Sequence, residues 1–172
     1  MCNYFIKKPE LELISNKHEP VLGGFDCENP DLNSYLQKEA LADTQSDLSK
    51  TYVLLLGKKI IAFYTLIYAT VESKKQGKDI LGKKYKYSQV PVMKLGRLAV
   101  DKGYKQKGFG TNLLRSSFIH AIDASKIAGL TAILVDAKDA KVRDGFYKKF
   151  KFEQTTNNEL QLFLPIKKLS GQ

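Results

Sequence analysis

Residues 95–110 read LGRLAVDKGYKQKGFG, and this stretch decides the fold. The apolar run at 95–100 is typical of a strand, and a helical spacing of apolar residues begins after Gly108 and Gly110. A strand, a glycine-containing loop and a helix together make an anion site, because backbone N–H groups at a helix start lack partners. Glycine also lets a phosphate approach the backbone closely. The stretch therefore predicts a phosphate-binding loop.

The loop alone leaves its ligand open. No Gly-Lys-Ser/Thr follows the glycines, which excludes a Walker loop, and the third glycine of the dinucleotide fingerprint is missing. Lys102, Lys105 and Lys107 add positive charge, with no acidic residue among them. A tight strand-to-helix turn that binds nothing explains the glycines about equally well, so both interpretations stand at this point.

The rest of the chain predicts alternating helices and strands. The first half of the chain predicts a helix from Asn29-Pro30-Asp31 to Asp43, then strands at 51–56 and 60–71 joined by a Gly57-Lys58 turn, and then an exposed loop at 74–86 with room for one helical turn. The second half predicts a strand at 90–100, a helix from Gly108 that stops near Gly129, and a strand at 130–137. A helix capped by Asp139, with Val142, Phe146 and Phe150 facing inward, and a strand at 159–165 paired with the strand before it complete the prediction. No repeat or linker marks a boundary, so residues 1–172 are predicted to form a single domain, a mixed α/β sheet with helices on both faces.

Charge is unevenly distributed along the chain. Residues 1–50 carry a net charge of −4, whereas residues 51–172 carry +14, giving +10 in total. A basic surface attracts polyanions, of which nucleic acid is the commonest. A lysine-rich surface that only keeps the protein in solution is the alternative.

Several protein classes are disfavoured by the sequence. No apolar stretch reaches the length of a membrane span, and the first residues lack the pattern of a signal peptide. Cys2 and Cys27 are too few for a disulfide framework or a zinc site. We therefore expect reduced thiols, no metal and no membrane association in a cytoplasmic protein.

The loop and its surroundings resemble the GNAT superfamily of acetyl-CoA-dependent N-acetyltransferases, whose phosphate loop reads Arg/Gln-x-x-Gly-x-Gly/Ala. Gly108 and Gly110 match, whereas Lys105 stands where that family has Arg or Gln. The resemblance implies a GNAT fold with a mostly antiparallel sheet and acetyl-CoA as co-substrate. It places pantetheine along one strand and pyrophosphate on the loop. The cofactor-binding residues so implied are Leu98, Ala99, Val100, Lys105, Gln106, Lys107, Gly108, Phe109, Gly110 and Thr111.

A second match is residues 146–152, FYKKFKF, which resemble the family segment Phe-Tyr-x-x-x-Gly-Phe with Lys151 in place of glycine. The resemblance implies that Tyr147 donates a proton to the departing CoA thiolate. A tyrosine with an ordinary pKa of about 10 stays protonated at pH 7 and suits that role. A packing role beside Phe146 and Phe150 is the alternative.

Residues 25–36, FDCENPDLNSYL, are similar to the Phe-Asp-Cys-Gly-x-Pro-x-Leu-Asn-x-x-Leu opening of GNAT toxins from toxin–antitoxin pairs, with Glu28 at the glycine position. The segment at 96–101 and the Leu164-Pro165 ending are also typical of them. The resemblance implies acetylation of the α-amino group of aminoacyl-tRNA, which blocks translation. It also implies a small DNA-binding antitoxin and homodimerisation.

The sequence says less about the residues that bind the acceptor amine than about those that bind the cofactor. An α-amine has a pKa of about 7.7–8, so a neutral fraction exists at pH 7 and a strong general base is unnecessary. Lys94 and Arg97 lie on the strand that leads to the reaction centre and are the candidate substrate residues, although a structural ion pair of Arg97 is equally open. Two other functions remain: a GNAT enzyme that acetylates a small-molecule amine or protein amino group, and a non-catalytic module that binds acetyl-CoA or RNA.

Overall fold

The computed structural model describes residues 8–75, 78–79 and 85–169. Within them lie nine strands: β1 (Glu10–Leu13), β2 (Lys50–Leu56), β3 (Lys59–Glu72), β4 (Lys74–Lys75), β5 (Lys78–Asp79), β6 (Gln89–Val100), β7 (Ala132–Asp136), β8 (Glu153–Thr155) and β9 (Asn158–Pro165). The α-helices of the described residues are α1 (Glu19–Leu22), α2 (Pro30–Lys38), α3 (Ala40–Gln45), α4 (Phe109–Ile127), α5 (Ala140–Gly145) and α6 (Ile166–Leu169). Short 3-10 turns occur at Asn16–His18, Lys102–Tyr104 and Tyr147–Phe150.

Seven strands form one sheet in the order β1-β2-β3-β6-β7-β9-β8, and β4 pairs with β5 separately. Strands β6 and β7 run parallel, whereas the pairs β1–β2, β2–β3, β7–β9 and β8–β9 are antiparallel. This mixed, mostly antiparallel sheet with helices confirms the predicted fold class. None of the described helices is long and apolar enough to span a membrane.

Contacts within the chain divide it into two compact units, each made from two segments. The first comprises the described residues up to Leu66 together with Arg97–Arg115, and the second comprises Ile67–Gly96 together with the described residues from Ser116 onward. A single domain stays a prediction.

In the first unit, helix α2 begins as predicted. The Asn29 side chain accepts hydrogen bonds from the N–H groups of Asp31 and Leu32, and Pro30 occupies the first helical position. The helix ends at Lys38, so the prediction of one helix continuing to Asp43 is wrong. The reason is a bend at Glu39, whose φ of −119° lies outside the helical range, and after which a new helix begins at the fully buried Ala40.

The core of the first unit is an aromatic cluster enclosed by aliphatic side chains. The rings of Phe25 and Tyr35 pack against Phe63 at centroid distances of 5.3 and 6.5 Å. Ala99 on β6 belongs to the same core. The predicted turn is confirmed, since Gly57 has a φ of 65° between the paired strands β2 and β3. Strand β1 has no counterpart among the predicted elements.

In the second unit, β7 lies between β6 and β9, which confirms the predicted pairing of the last long strand. Asp139 caps α5 by accepting the Val142 N–H at 2.8 Å, also as predicted. The predicted helix, however, ends at Gly145, because Phe146 has a φ of −124°, and a 3-10 turn follows. Strand β8 and helix α6 had not been predicted.

The remaining element predictions concern α4 and the segment at 74–86. Helix α4 begins at Phe109, next to the predicted start, and ends two residues before Gly129. In the predicted loop, residues 74–75 and 78–79 form a short antiparallel pair and not a helical turn. Residues 76–77 and 80–84 of that loop lie outside the described residues.

Candidate active site

The segment that leads into the glycine loop is fixed by the carboxylate of Asp101, which is only 2% exposed. Its Oδ1 accepts hydrogen bonds from the Gly103 N–H at 3.0 Å and from the Lys59 ammonium at 3.2 Å. Its Oδ2 accepts the Asp26 N–H at 3.3 Å, and the Asp101 N–H donates to the Ile61 carbonyl at 2.9 Å. The start of the loop is therefore tied to the core of the first unit.

The loop itself has an unusual backbone. Gln106 and Gly108 have φ angles of 61° and 83°, in the left-handed region that favours glycine. A Cβ atom added at Gly108 would meet nothing within 4 Å, so glycine is favoured there by the backbone conformation and not by packing. Lys105, Gln106, Lys107 and Gly108 are exposed, so the loop is open to a ligand.

Helix α4 presents its N-terminus immediately after this loop. The Asn112 N–H donates to the Gly108 carbonyl at 3.0 Å as the first bond of the helical ladder. The N–H groups of Phe109, Gly110 and Thr111 precede that bond and have no acceptor within the helix. Such N–H groups, together with the helix dipole, bind anions. The geometry therefore supports an anion-binding site.

Two of the three loop lysines, Lys102 and Lys105, pair with acidic side chains, although no acidic residue lies among these lysines in the sequence. The Lys102 ammonium is 2.8 Å from Asp26 Oδ2. This ammonium, with the backbone N–H of Glu28 and the side-chain amide of Asn33, holds the pKa of the Asp26 carboxyl well below its usual range. The chain segment of Asp26 thus contributes negative charge to the loop from a distant part of the sequence.

Lys105 and Lys107 also have partners. The Lys105 ammonium lies 2.6 Å from Glu28 Oε2 and donates to the Cys27 carbonyl at 2.9 Å. The Lys107 ammonium donates to the Gly103 carbonyl at 3.0 Å.

The Cys27 thiol is buried and forms no disulfide, and burial raises its pKa. Cys2 lies outside the described residues.

On strand β6, Arg97 lies in the first unit and Ala99 points into its core, with Leu98 and Val100 half-buried beside it. The guanidinium carbon of Arg97 is 3.4 Å from the centroid of the Tyr35 ring. Among the described residues this ring, and no carboxylate, is the partner of Arg97. The ion pair that the sequence left open is therefore not formed there.

In the second unit, Lys94 is ion-paired. Its ammonium lies 2.5 Å from Asp136 Oδ2, and Gln161 donates to the other Asp136 oxygen at 3.1 Å. Lys94 and Asp136 lie near the end of the stretch in which the parallel strands β6 and β7 are paired, since their register runs to the pair Leu95 and Val135. Strand β6 continues five residues further, to Val100.

Tyr147 is 8% exposed and packs against Phe146 and Phe152 at centroid distances of 5.1 and 5.5 Å. Burial raises the pKa of Tyr147 to about 12, and the charge of Asp136 acts in the same direction. Within the described residues its hydroxyl has no hydrogen-bond partner, although a buried tyrosine hydroxyl usually finds one. The packing role is thus present, and the hydroxyl remains available for a ligand.

Three residues of the chain, Glu28, Lys105 and Lys151, depart from the family pattern. Glu28 and Lys151, both at glycine positions of the pattern, have φ angles of 65° and 64°. Each therefore adopts the left-handed conformation that the pattern requires, without glycine. Lys105, which stands where the pattern has Arg or Gln, forms an ion pair with Glu28. Sequence reasoning missed this pair, and it missed the roles of Tyr35, Asp101 and Asp136, because each depends on contacts between distant segments.

No sequence-family model matches the chain. Over 145 residues the chain is 34% identical to the tRNA-acetylating toxin of Mycobacterium tuberculosis (strain ATCC 25618 / H37Rv), covering 83% of this chain and 84% of that protein. The chain belongs to the tRNA-acetylating toxins. As a member of this family it is an acetyltransferase, which confirms the predicted enzyme class.

Solved structures support the assignment of the fold to this toxin family. A tyrosine-to-phenylalanine variant of KacT matches with a TM-score of 0.86 at 27% identity, over 95% of this chain and 98% of KacT. AtaT complexed with acetyl-methionyl-tRNAfMet matches with a TM-score of 0.84 at 25% identity, over 95% of this chain and 98% of AtaT. AtaTR bound with acetyl-CoA matches in fold with a TM-score of 0.78 at 24% identity, over 94% of this chain and 96% of that chain.

These comparisons confirm the GNAT-toxin resemblance that the sequence showed. They do not assign roles to individual residues of this chain, so the cofactor, acceptor and proton-donor residues remain predictions. Within the part of the chain that the structure describes, no cluster of three or more His, Cys, Asp or Glu side chains could hold a metal ion.

Proposed function

We propose that the chain transfers the acetyl group of acetyl-CoA to the α-amino group of an aminoacyl-tRNA and thereby blocks translation. The observation that carries this proposal is the exposed left-handed loop that ends on the N-terminus of α4, in a chain of the tRNA-acetylating toxin family. Its two parts, the cofactor site and the chemistry of transfer, are supported by different residues.

The cofactor site uses residues of the first unit. The N–H groups at 109–111 receive the pyrophosphate, with Lys105, Gln106, Lys107 and Gly108 forming the loop around it. The backbone of Leu98, Ala99 and Val100 pairs with the amides of pantetheine, on the stretch of β6 beyond its register with β7. Acetyl-CoA supplies an activated acetyl thioester when bound. AtaTR has been solved with this molecule.

Tyr147 supplies the proton of the transfer step. The neutral α-amine attacks the thioester carbonyl carbon, a C–N bond forms and the C–S bond breaks. The leaving thiolate takes the Tyr147 phenolic proton, and the nitrogen loses its own extra proton to water. A raised pKa of about 12 keeps Tyr147 protonated at pH 7, and its hydroxyl donates to no other group of the described residues. Asp136 contributes to that raised pKa.

The acceptor is a polyanion, which suits the net charge of +14 beyond residue 50. Arg97 and Lys94 are the proposed acceptor-side residues. Arg97 lies over the Tyr35 ring and pairs with no carboxylate of the described residues, whereas Lys94 is neutralised by Asp136 and is the weaker candidate. Charged tRNA occurs in the cytoplasm, where we place the protein.

Partners follow from the same family. AtaT has been solved with the C-terminus of the antitoxin AtaR, and the KacTA complex has been solved with DNA. We propose a small DNA-binding antitoxin for this chain as well, and a homodimer as its assembly.

The decisive experiment is transfer of labelled acetyl from acetyl-CoA to charged tRNA, with uncharged tRNA, free amino acids and polyamines as controls. Label on charged tRNA alone, strongly reduced by Tyr147→Phe and unchanged by Tyr87→Phe, supports the proposal. Tyr87 is the matched control because its side chain is 67% exposed. Label on free amines would replace the toxin activity with a small-molecule acetyltransferase. Binding of acetyl-CoA without any transfer would indicate a non-catalytic module.

A further inference from the structure

Glu28 contacts the proposed cofactor loop although it is 77 positions from Lys105 in the chain. Its Oε2 atom lies 2.6 Å from the Lys105 ammonium, which also donates to the Cys27 carbonyl at 2.9 Å. A lysine ammonium has three N–H donors and no acceptor. Two of the three are thus used inside the protein, and the stronger of the two partners is a carboxylate.

The backbone holds Glu28 in this place. Its φ is 65°, and its N–H donates to Asp26 Oδ1 at 2.9 Å. The same Asp26 oxygen accepts the Asn33 side-chain amide at 2.9 Å, and Lys102 binds the other Asp26 oxygen. The turn at 26–28 therefore fixes the position from which the Glu28 carboxylate reaches Lys105.

We propose that Glu28 lowers the affinity of the loop for acetyl-CoA, because its carboxylate competes with the phosphates of that molecule for the Lys105 ammonium. The inference rests on the proposed cofactor site. A phosphate that binds Lys105 has to displace the carboxylate or accept the one remaining donor. In either case the ammonium donates less to the phosphate than it would without the Glu28 carboxylate.

The expected size of the effect is moderate. The Glu28 and Lys105 side chains are 63% and 42% exposed, so water and salt screen their interaction. Exposed ion pairs of this kind change equilibrium constants by up to about fivefold. We therefore expect removal of the Glu28 charge to tighten CoA binding about two- to fivefold at low salt.

The test is titration calorimetry of CoA against the whole chain and its Glu28→Gln variant. Asp47→Asn is the matched control, because Asp47 also has a positive φ of 60°, is exposed and forms an ion pair with one lysine, Lys50. Glu28→Gln tightens CoA binding and Asp47→Asn does not. The gain shrinks at about 0.5 M salt, where charge interactions at the surface are screened.

A double-mutant cycle with Lys105→Met shows whether the effect passes through the ammonium. In the Lys105→Met background, Glu28→Gln produces less than half of its gain in the wild type. The proposal is overturned if Glu28→Gln weakens CoA binding or leaves it unchanged, if Asp47→Asn gives the same gain, or if the gain is equal with and without the Lys105 ammonium.

The same cycle separates this inference from the proposed cofactor site. If Lys105→Met weakens CoA binding while Glu28→Gln has no effect, the site stands and the role of Glu28 falls. If CoA binds equally well to the wild type and to Lys105→Met and Gly108→Ala variants, the loop is not the cofactor site and both proposals fall.

Discussion

The guanidinium of Arg97 lies over the ring of Tyr35, with its central carbon 3.4 Å from the ring centroid. Tyr35 is buried, and its hydroxyl is 3.1 Å from the Ser49 hydroxyl and 3.4 Å from that of Thr51. One side chain therefore has two functions that can be separated: its ring supports a cation, and its hydroxyl completes a buried polar network.

Replacing Tyr35 by Phe and by Leu distinguishes these functions. Tyr35→Phe keeps the ring and removes the hydroxyl, so it should cost about 1 kcal/mol of the free energy of unfolding and leave the KM for charged tRNA unchanged. Tyr35→Leu removes the platform of Arg97 as well and should raise that KM several-fold, since cation–π contacts fix the position of the cation. Urea denaturation and acetyl-transfer kinetics measure the two effects.

The KM values of Tyr35→Phe and Tyr35→Leu test whether the platform of Arg97 takes part in binding the acceptor. Equal KM values for the two variants would mean that the Arg97 platform has no part in binding the acceptor. Arg97→Lys provides an independent check, because lysine keeps the charge but lacks the planar group that stacks on the ring. It should reproduce the KM of Tyr35→Leu without the same loss of stability.

Lys151 offers a test of backbone strain. Its φ of 64° is costly for a residue with a Cβ atom, and it stands where the family pattern has glycine. Lys151→Gly should therefore stabilise the protein by about 0.5–1 kcal/mol, the relief of strain exceeding the extra freedom of glycine in the unfolded chain. Lys149→Gly, in the adjacent 3-10 turn, should destabilise it. A loss of stability in both variants would contradict the strain argument.

Local chemistry explains which parts of the fold were predictable. Asn29, Gly57 and Asp139 act within four residues of themselves, as two caps and a turn, and all three were recognised in the sequence. The bend at Glu39 was not recognised, because it depends on burying Ala40 in a core built from distant segments. Tertiary packing overrode a continuous helical pattern there.

The candidate active site shows the same difference between features set by neighbouring residues and features set by distant segments. The glycine loop was identified because a strand, two glycines and a helix follow one another directly in residues 95–110. The acids that pair with Lys102 and Lys105 were not identified, because Asp26 and Glu28 precede these lysines by more than 70 residues. No periodicity or spacing encodes such pairs, so the electrostatics of the loop had to come from the structure.

Gly108→Ala tests the loop backbone without disturbing packing. An added Cβ atom meets nothing within 4 Å, but a φ of 83° is unfavourable for alanine by about 1 kcal/mol or more. We expect acetyl-CoA to bind several-fold more weakly and the melting temperature to fall slightly. Gly129→Ala is the control, since that glycine also has open space around it and has no positive φ. It should leave binding unchanged.

The pH dependence of turnover tests the role of Tyr147. Because burial raises the pKa of Tyr147 to about 12, its phenol stays protonated well above neutral pH. Turnover should therefore rise as the substrate amine loses its proton near pH 8, then stay level to at least pH 10. A fall in turnover centred near pH 10, absent from the residual activity of Tyr147→Phe, would show a tyrosine with an ordinary pKa. Asp136→Asn lowers the pKa of Tyr147 but leaves burial, the larger cause, in place, so its profile should keep the plateau at pH 8–9.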